Sequence, residues 1–266
     1  MSFRMRIRRI VLAQKYESYK TQLDRFLSVL LLLPGLPIIV VLLLIVRTTS
    51  RGPSLFRQTR VGKNGVPFTL YKIRTMHIDA EPIGTKPVWA QARDPRATPL
   101  GRWLRDLHLD ELPQLFNVLK GEMALVGPRP ERPEFVAVLK QQIPDYEKRL
   151  EVLPGITGLA QMNLPPDSDL NSVRKKLKLD RAYIRELSLV LDMRLLVCTC
   201  VSLLGWRKEQ VTRWMNLDRP DYDNLDKSLT IEPTDLGFWT IEIPEESLEH
   251  KILDPFELPL QSVESR

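Results

Sequence analysis

The stretch "FLSVLLLLPGLPIIVVLLLIV", residues 26–46, sets 21 uncharged residues in a row and places three helix breakers, Pro34, Gly35 and Pro37, near its middle. As one helix it would reach roughly 31 Å, enough to cross the hydrocarbon core of a bilayer. A proline inside a helix removes a backbone hydrogen bond and crowds the preceding turn. The pattern therefore predicts two helical limbs, 26–33 and 38–46, joined by a break that lets the chain enter and leave a membrane by the same face. The flanks agree: residues 1–25 hold seven Lys/Arg against two acids, and residues 47–63 hold Arg47, Arg51, Arg57, Arg60 and Lys63 with no acid. Positive flanks favour the cytoplasmic side, and a spanning helix, the alternative for a kinked apolar run, would put one of them outside. No small-residue cleavage site follows the apolar run, which argues against a signal peptide.

The rest of the chain divides by charge. Residues 1–213 hold 35 Lys plus Arg against 20 acids, whereas residues 214–266 hold 4 against 13. A basic body implies an anionic partner: nucleic acid, anionic lipid or a phosphorylated substrate. No HExxH, GxxxxGK[ST] or GxGxxG occurs, so zinc-protease, P-loop and dinucleotide readings fall away. The two cysteines, Cys198 and Cys200, sit in the apolar "LLVCTCVSLL" and read as core or interface residues in a reducing compartment. A metal here would be a hard cation held by carboxylates.

After the apolar run, two strand-like segments flank Asn64-Gly65, a hairpin-turn signal. Lys72 and Arg74 close the second strand, on the face of Phe68 and Leu70 if side chains alternate. "RDPRATPLGRWLRD" then interleaves Arg93, Arg96, Arg102 and Arg105 with Pro and Gly. It is either a solvated basic loop or a cradle for phosphate, whose oxygens the guanidinium fork matches.

"LDELPQLFNVLKG" reads as a helix from about Asp110 to Gly121, with Pro113 tolerated in its first turn. Asp110 is a fair N-cap. Yet neighbouring helical residues do not share a face, so Asp110 and Glu111 cannot both cap. The positive end of the helix dipole would favour their ionised forms, suited to a nucleophile or a metal ligand. Arg129 sits stiffly between two prolines in "GPRPERP", and "LPGITGLAQMN" marks a tight loop. The helical stripe Val173, Leu177, Ile184, Leu187, Leu191 carries Asp180 at a position where an apolar residue belongs. An inward carboxylate needs a partner, whether Arg, metal or ligand. "LSLVLDMRLLVCTCVSLLGW" is too interrupted to span, and packs in the core or lies in the membrane interface. The acidic end reads as an extended tail, with only "GFWTIEI" strand-like.

Taken in order, "GPSLFRQTRVGKNGVPFTLYKIRTM", "DPRATPLGRWLRDLHLDELPQLFNVLKGEMALVGPRP", "PGITGLAQMN" and "LDRAYIREL" resemble the bacterial sugar transferases, the monotopic phosphoglycosyl transferases, over roughly residues 20–200. The resemblance implies a Mg²⁺-dependent membrane enzyme that moves a sugar phosphate from a UDP-sugar to undecaprenyl phosphate and releases UMP, starting synthesis of a surface glycan. It implies Asp110 as nucleophile, with a covalent phosphosugar intermediate, and Glu111 as its dyad partner, with the metal held at Asp110 and Glu111. It also matches Lys72 and Asp180 to catalytic positions, Arg102, Arg105 and Arg129 to conserved basic ones, and Pro34 to the hairpin break. Arg74 and Arg96 join these arginines as expected phosphate contacts. Two departures are "KIRTM" where Lys-Phe-Arg-Ser-Met is usual, and Leu33 where a small polar residue often precedes the proline.

The fold class expected is α+β and mainly helical: a basic segment 1–25, a re-entrant membrane helix-break-helix 26–46, a cytoplasmic catalytic domain 47–205 with interfacial amphipathic helices and a small β-hairpin, and an acidic extension 206–266. The expected site is the inner membrane's cytoplasmic face, with the bilayer as partner, room for a homo-oligomer and no nucleic acid. A membrane phosphohydrolase using the same dyad and a lipid-bound anion-binding scaffold are the competing readings.

Overall fold

The computed structural model describes residues 3–80 and 94–219, with side chains from Tyr16 onward. The protein is mainly helical, with two small sheets. Helix α1, Phe3–Thr49, is followed by the strands β1, Leu55–Val61, and β2, Pro67–Ile73. Then come α2, Pro99–Asp106, α3, Gln114–Lys120, β3, Ala124–Val126, and α4, Pro133–Gln142. The described chain ends with β4, Gly155–Thr157, α5, Leu159–Asn163, α6, Leu170–Glu186, α7, Leu189–Leu203, and α8, Lys208–Trp214.

Helix α1 departs from expectation. It continues without interruption through Pro34, Gly35 and Pro37, where the sequence predicts a break between two limbs. Two prolines remove only the N–H groups of residues 34 and 37, while the surrounding backbone bonds persist. Both rings are on the exposed side of the helix, and Gly35 faces the body, near Leu115. The buried positions form one stripe, Lys20, Asp24, Ser28, Gly35, Ile39, Leu42 and Val46, at helical spacing across the prolines. Along it α1 packs on α3, β3, β2 and α6. The opposite face is apolar and open: the hydrophobic stretch within Tyr16–Thr49 is only 22% buried, unlike the core helix of a soluble domain.

The hairpin forms as predicted. β1 and β2 are antiparallel from Leu55↔Ile73 to Val61↔Pro67, and the turn is closed by Asn64 and Gly65, both with positive φ (56° and 79°). Phe68 and Leu70 point into the main core with Leu115, Val118, Leu125, Leu179 and Tyr183. Ile73 instead meets Leu42 and Val46 of α1 and Leu104 of α2. Fully burying such a side chain stabilises a fold by ~1.5–3 kcal/mol, so β2 ties α1 to the body.

The segment expected to be a tight loop after residue 152 holds a strand and a short helix. β4 pairs in parallel with β3, Ala124↔Gly155 and Val126↔Thr157, and the backbones come so close that no side chain fits at Gly155 against Gly127. The helical stripe after residue 170 belongs to two helices, since the chain turns between Glu186 and Leu189. Asp169 caps α6 by accepting from the Ser172 amide in a capping box, and Ser188 caps α7. The ordered body runs past residue 205: Val211 and Leu217 are buried in the main core beside Cys198. Arg93, "GFWTIEI" and the acidic end beyond Arg219 lie outside the described residues.

Candidate active site

The Asp-Glu pair sits on a short 3-10 turn, Leu109–Glu111, entered through His108 in the left-handed region (φ 54°). Helix α3 starts only at Gln114, and its N-cap position is Pro113, with no side-chain cap. The reading of Asp110 as an N-cap of one long helix is thereby corrected. Pro113 and the strained entry at His108 hold the pair in a separate turn, outside the helical frame where a cap would form.

The two carboxylates have opposite surroundings. Glu111 Oε1 accepts from Lys72 Nζ (2.7 Å) and Arg129 Nη2 (2.6 Å), and Oε2 lies 3.5 Å from Arg129 Nη1. Burial would raise its pKa, but Arg129 and Lys72 outweigh that and hold it well below the usual carboxylate range. Asp110 is 5% exposed, and no hydrogen bond reaches its carboxylate from the described residues. Burial pushes its pKa up, with Lys72 opposing and the Glu111 charge adding to the rise. Lys72, half-buried, has its pKa lowered by desolvation against the pull of Glu111. The helix-dipole expectation that both acids are held ionised alike does not describe this pair: Glu111 is the fixed anion and Asp110 the adjustable one.

The remaining expected residues divide. Arg129 is in the cluster, and Arg105 acts on Asp110 electrostatically while its Nε donates to Thr75 Oγ1 (2.8 Å). Gly101 lets α2 rest directly on the Thr75 backbone, which fixes that contact. Arg102 is exposed on α2. Arg96 is held by Asp94, Nε to Oδ1 at 2.8 Å and Nη2 to Oδ2 at 2.7 Å. Arg74 turns away from the dyad to the end of α1, where Nη2 donates to Ser50 Oγ (2.7 Å). Asp180 is fully enclosed and ion-paired to Arg149 (Nη2 at 2.8 Å). Its link to the site is indirect, because Arg149 also donates to the Arg129 carbonyl (2.8 Å).

Behind Arg129 stands a network the sequence did not announce. Glu131 accepts from Lys176 (2.5 Å), and Lys176 also bonds Asp167 (2.6 Å). Arg60 reaches the Pro130 carbonyl (3.1 Å). The "PERP" segment signalled only rigidity; its Glu131 found a partner 45 residues along the chain.

Among the described residues, no three His, Cys, Asp or Glu gather as a ready-made metal site. Asp110, which accepts no hydrogen bond among the described residues, and Glu111 Oε2, held only by the long Arg129 Nη1 contact (3.5 Å), are nevertheless hard oxygen donors, a partial set of the kind Mg²⁺ completes with substrate phosphate and water. The donor chemistry thus fits a magnesium site at the dyad.

Residues 15–206 match the family described as Bacterial sugar transferase. An undecaprenyl-phosphate glucose phosphotransferase of Komagataeibacter xylinus is 42% identical over 188 residues, 68% of this chain and 35% of that protein. A UDP-glucose:undecaprenyl-phosphate glucose-1-phosphate transferase of Caulobacter vibrioides is 40% identical over 187 residues, 70% of this chain and 69% of that one. A UDP-N-acetylgalactosamine-undecaprenyl-phosphate N-acetylgalactosaminephosphotransferase of Aeromonas hydrophila is 38% identical over 189 residues, 71% of this chain and 44% of that one. The match therefore spans less than half of two of these relatives.

Proposed function

Since the chain belongs to the bacterial sugar transferase family, we propose that it moves a sugar 1-phosphate from a UDP-sugar to undecaprenyl phosphate and releases UMP. This would be the first membrane step of a surface polysaccharide or glycoconjugate. The observation that carries the reading is the asymmetric dyad: a buried Asp110 with unengaged carboxylate oxygens, beside a Glu111 locked by Lys72 and Arg129.

In this mechanism an Asp110 oxygen attacks the sugar-bearing phosphorus of the donor. A phosphorus–oxygen bond forms, the bond to UMP breaks, and UMP carries away the electron pair. A lipid phosphate oxygen then attacks the same phosphorus and returns Asp110 as a carboxylate. Arg129 and Lys72 keep positive charge beside the reacting phosphoryl group, and Arg105 lies within electrostatic reach. Glu111 fixes both cations, and through Arg129 is braced by Arg149 and Asp180. Magnesium, held by Asp110 and Glu111 Oε2, would supply further neutralisation of the diphosphate. The relatives use different sugars, so the sugar is left unassigned.

Helix α1 would seat the chain in the membrane from the cytoplasmic face. Its buried stripe touches the body from Lys20 to Val46, whereas a helix crossing the bilayer alone would leave its apolar middle free. With both ends of this stripe held against the body, they would lie on one side of the bilayer. Exposed Trp103, Leu204 and Trp206 would lie at headgroup depth.

The test is incubation with radiolabelled UDP-sugars and undecaprenyl phosphate. Lipid-linked label with stoichiometric UMP is expected, and water-soluble sugar phosphate alone would indicate a hydrolase. Asp110→Asn should lower turnover by at least about three orders of magnitude with the fold intact; retained activity would remove Asp110 as nucleophile. For topology, single cysteines introduced at positions 5 and 60 should both label from the cytoplasmic side only. External labelling at position 5 would exclude the one-face arrangement.

A further inference from the structure

Next to the dyad lies a small pocket lined by Arg60, Leu70, Lys72, Gln114, Arg129 and Pro130. Its polar lining consists of three cations and one carboxamide, and its other walls are apolar. Two of its nitrogens, Gln114 Nε2 and Arg60 Nε, are buried without a hydrogen-bond partner among the described residues. Gln114 is 2% exposed. A buried polar group left unpaired is a recognised cost to a fold, and the first residue of an ordinary helix has no need to bear it. Met and Leu have similar bulk and would fill the same space.

The chemistry of the lining says what would fill it. Guanidinium, ammonium and amide N–H groups all donate, so the complement is an acceptor; Lys72 and Arg129 share Glu111, and Arg60 shares Glu131 with Lys176, so the lining keeps a net positive charge that favours an anion. Arg60 is anchored: Nη1 donates to the Pro130 carbonyl and lies 3.7 Å from Glu131 Oε2, and Nη2 donates to Gln58 Oε1 (2.6 Å), while Nε has no partner among the described residues. Burial lowers its pKa only to about 10, so it stays charged at neutral pH.

We propose that Gln114 and Arg60, with Lys72 and Arg129, form a seat for a non-reacting phosphoryl oxygen, and that the Gln114 carboxamide is kept unpaired to receive it. The seat rests on the phosphosugar-transfer reading in that its phosphate belongs to one of the two substrates, the nucleotide donor or the lipid acceptor. Gln114 becomes a positioning residue that turns the phosphorus toward Asp110, four residues earlier on the neighbouring turn.

The test is Gln114→Met in the detergent-solubilised full chain. A packing role predicts an equal or higher Tm and unchanged kinetics. The phosphoryl seat predicts an equal or higher Tm together with a roughly 10- to 100-fold fall in kcat/KM, the loss of one hydrogen bond to a charged group. A raised KM for the UDP-sugar alone assigns the oxygen to the donor, and a raised KM for undecaprenyl phosphate alone assigns it to the acceptor. A second readout does not need turnover: inorganic pyrophosphate should raise the Tm of the wild type more than that of Gln114→Met. If Gln114→Met does not fold, Gln114→Glu, which replaces the donor by an anion, should show the same losses. Unchanged kcat/KM for both substrates with an equal pyrophosphate shift overturns the seat. Should the wild type process no UDP-sugar at all, the transfer reading fails, while the pyrophosphate comparison still tests the seat.

Discussion

Two clusters of buried charge hold this molecule together, and they are built on opposite plans. One fastens the start of α1 to the body. Lys20 lies between Asp24 (3.1 Å) and Asp192 (2.5 Å), Tyr16 donates to Asp192 Oδ2 (2.7 Å), and Tyr183 donates to Asp192 Oδ1 (2.8 Å). Asp24 also accepts from the Leu125 amide (3.3 Å). Both aspartates are thus engaged from more than one side. The other cluster surrounds the dyad, and there Glu111 is doubly held while the Asp110 carboxylate, Gln114 Nε2 and Arg60 Nε have no hydrogen-bond partner among the described residues. A structural network closes on itself because an unpaired buried group only costs stability. The proposed seat rests on the other case, in which a substrate supplies the missing partners.

The contrast can be broken by mutation. Lys20→Met removes the cation from between two enclosed carboxylates, and breaking a buried pair costs roughly 3–5 kcal/mol. Denaturant unfolding should show a loss of that order, while kcat/KM per folded molecule stays near wild type. A large catalytic defect without destabilisation would mean that the anchor is part of the site. Glu111→Gln should cost less, about 1–2 kcal/mol, because Lys72 and Arg129 retain side-chain exposures of 17% and 36%.

The dyad variant has a second readout. Asp110 has its pKa raised by burial, and the Glu111 charge adds to that rise. Activity that needs ionised Asp110 is therefore lost on the acid side, at a pH above that of an ordinary aspartate. Removing the Glu111 charge and releasing Lys72 and Arg129 both lower the Asp110 pKa. The acid limb of the residual kcat/KM in Glu111→Gln should move to lower pH. A limb that stays in place or rises would show that Asp110 is not the titrating nucleophile.

Much of the candidate site was legible along the chain, because its residues are grouped in short segments: Lys72 at the end of β2, Asp110 and Glu111 in one turn, Arg129 between prolines. Spacing also marked Asp180 as inward, though its partner Arg149 could not be read from it, since the pairing joins residues 31 apart. Arg74 and Arg96 looked equivalent to Arg129 by type. Strand end and local carboxylate sent them elsewhere, to Ser50 and Asp94. Gln114 gave no signal, as only burial without a partner distinguishes it.

The sequence by itself determined the apolar length of α1, the hairpin turn at Asn64-Gly65, the basic body and the chemical groups of the dyad, since each follows from local composition or from two or three adjacent residues. Tertiary structure decided what those groups do. It carried α1 as a helix through Pro34 and Pro37 with one stripe against the body, and moved Asp110 out of a capping position. It also gave the two neighbouring carboxylates opposite pKa shifts. The reason is that desolvation and ion pairing depend on which distant side chains arrive, here Lys72 from 39 residues before Glu111 and Arg129 from 18 after, and no local pattern encodes that meeting.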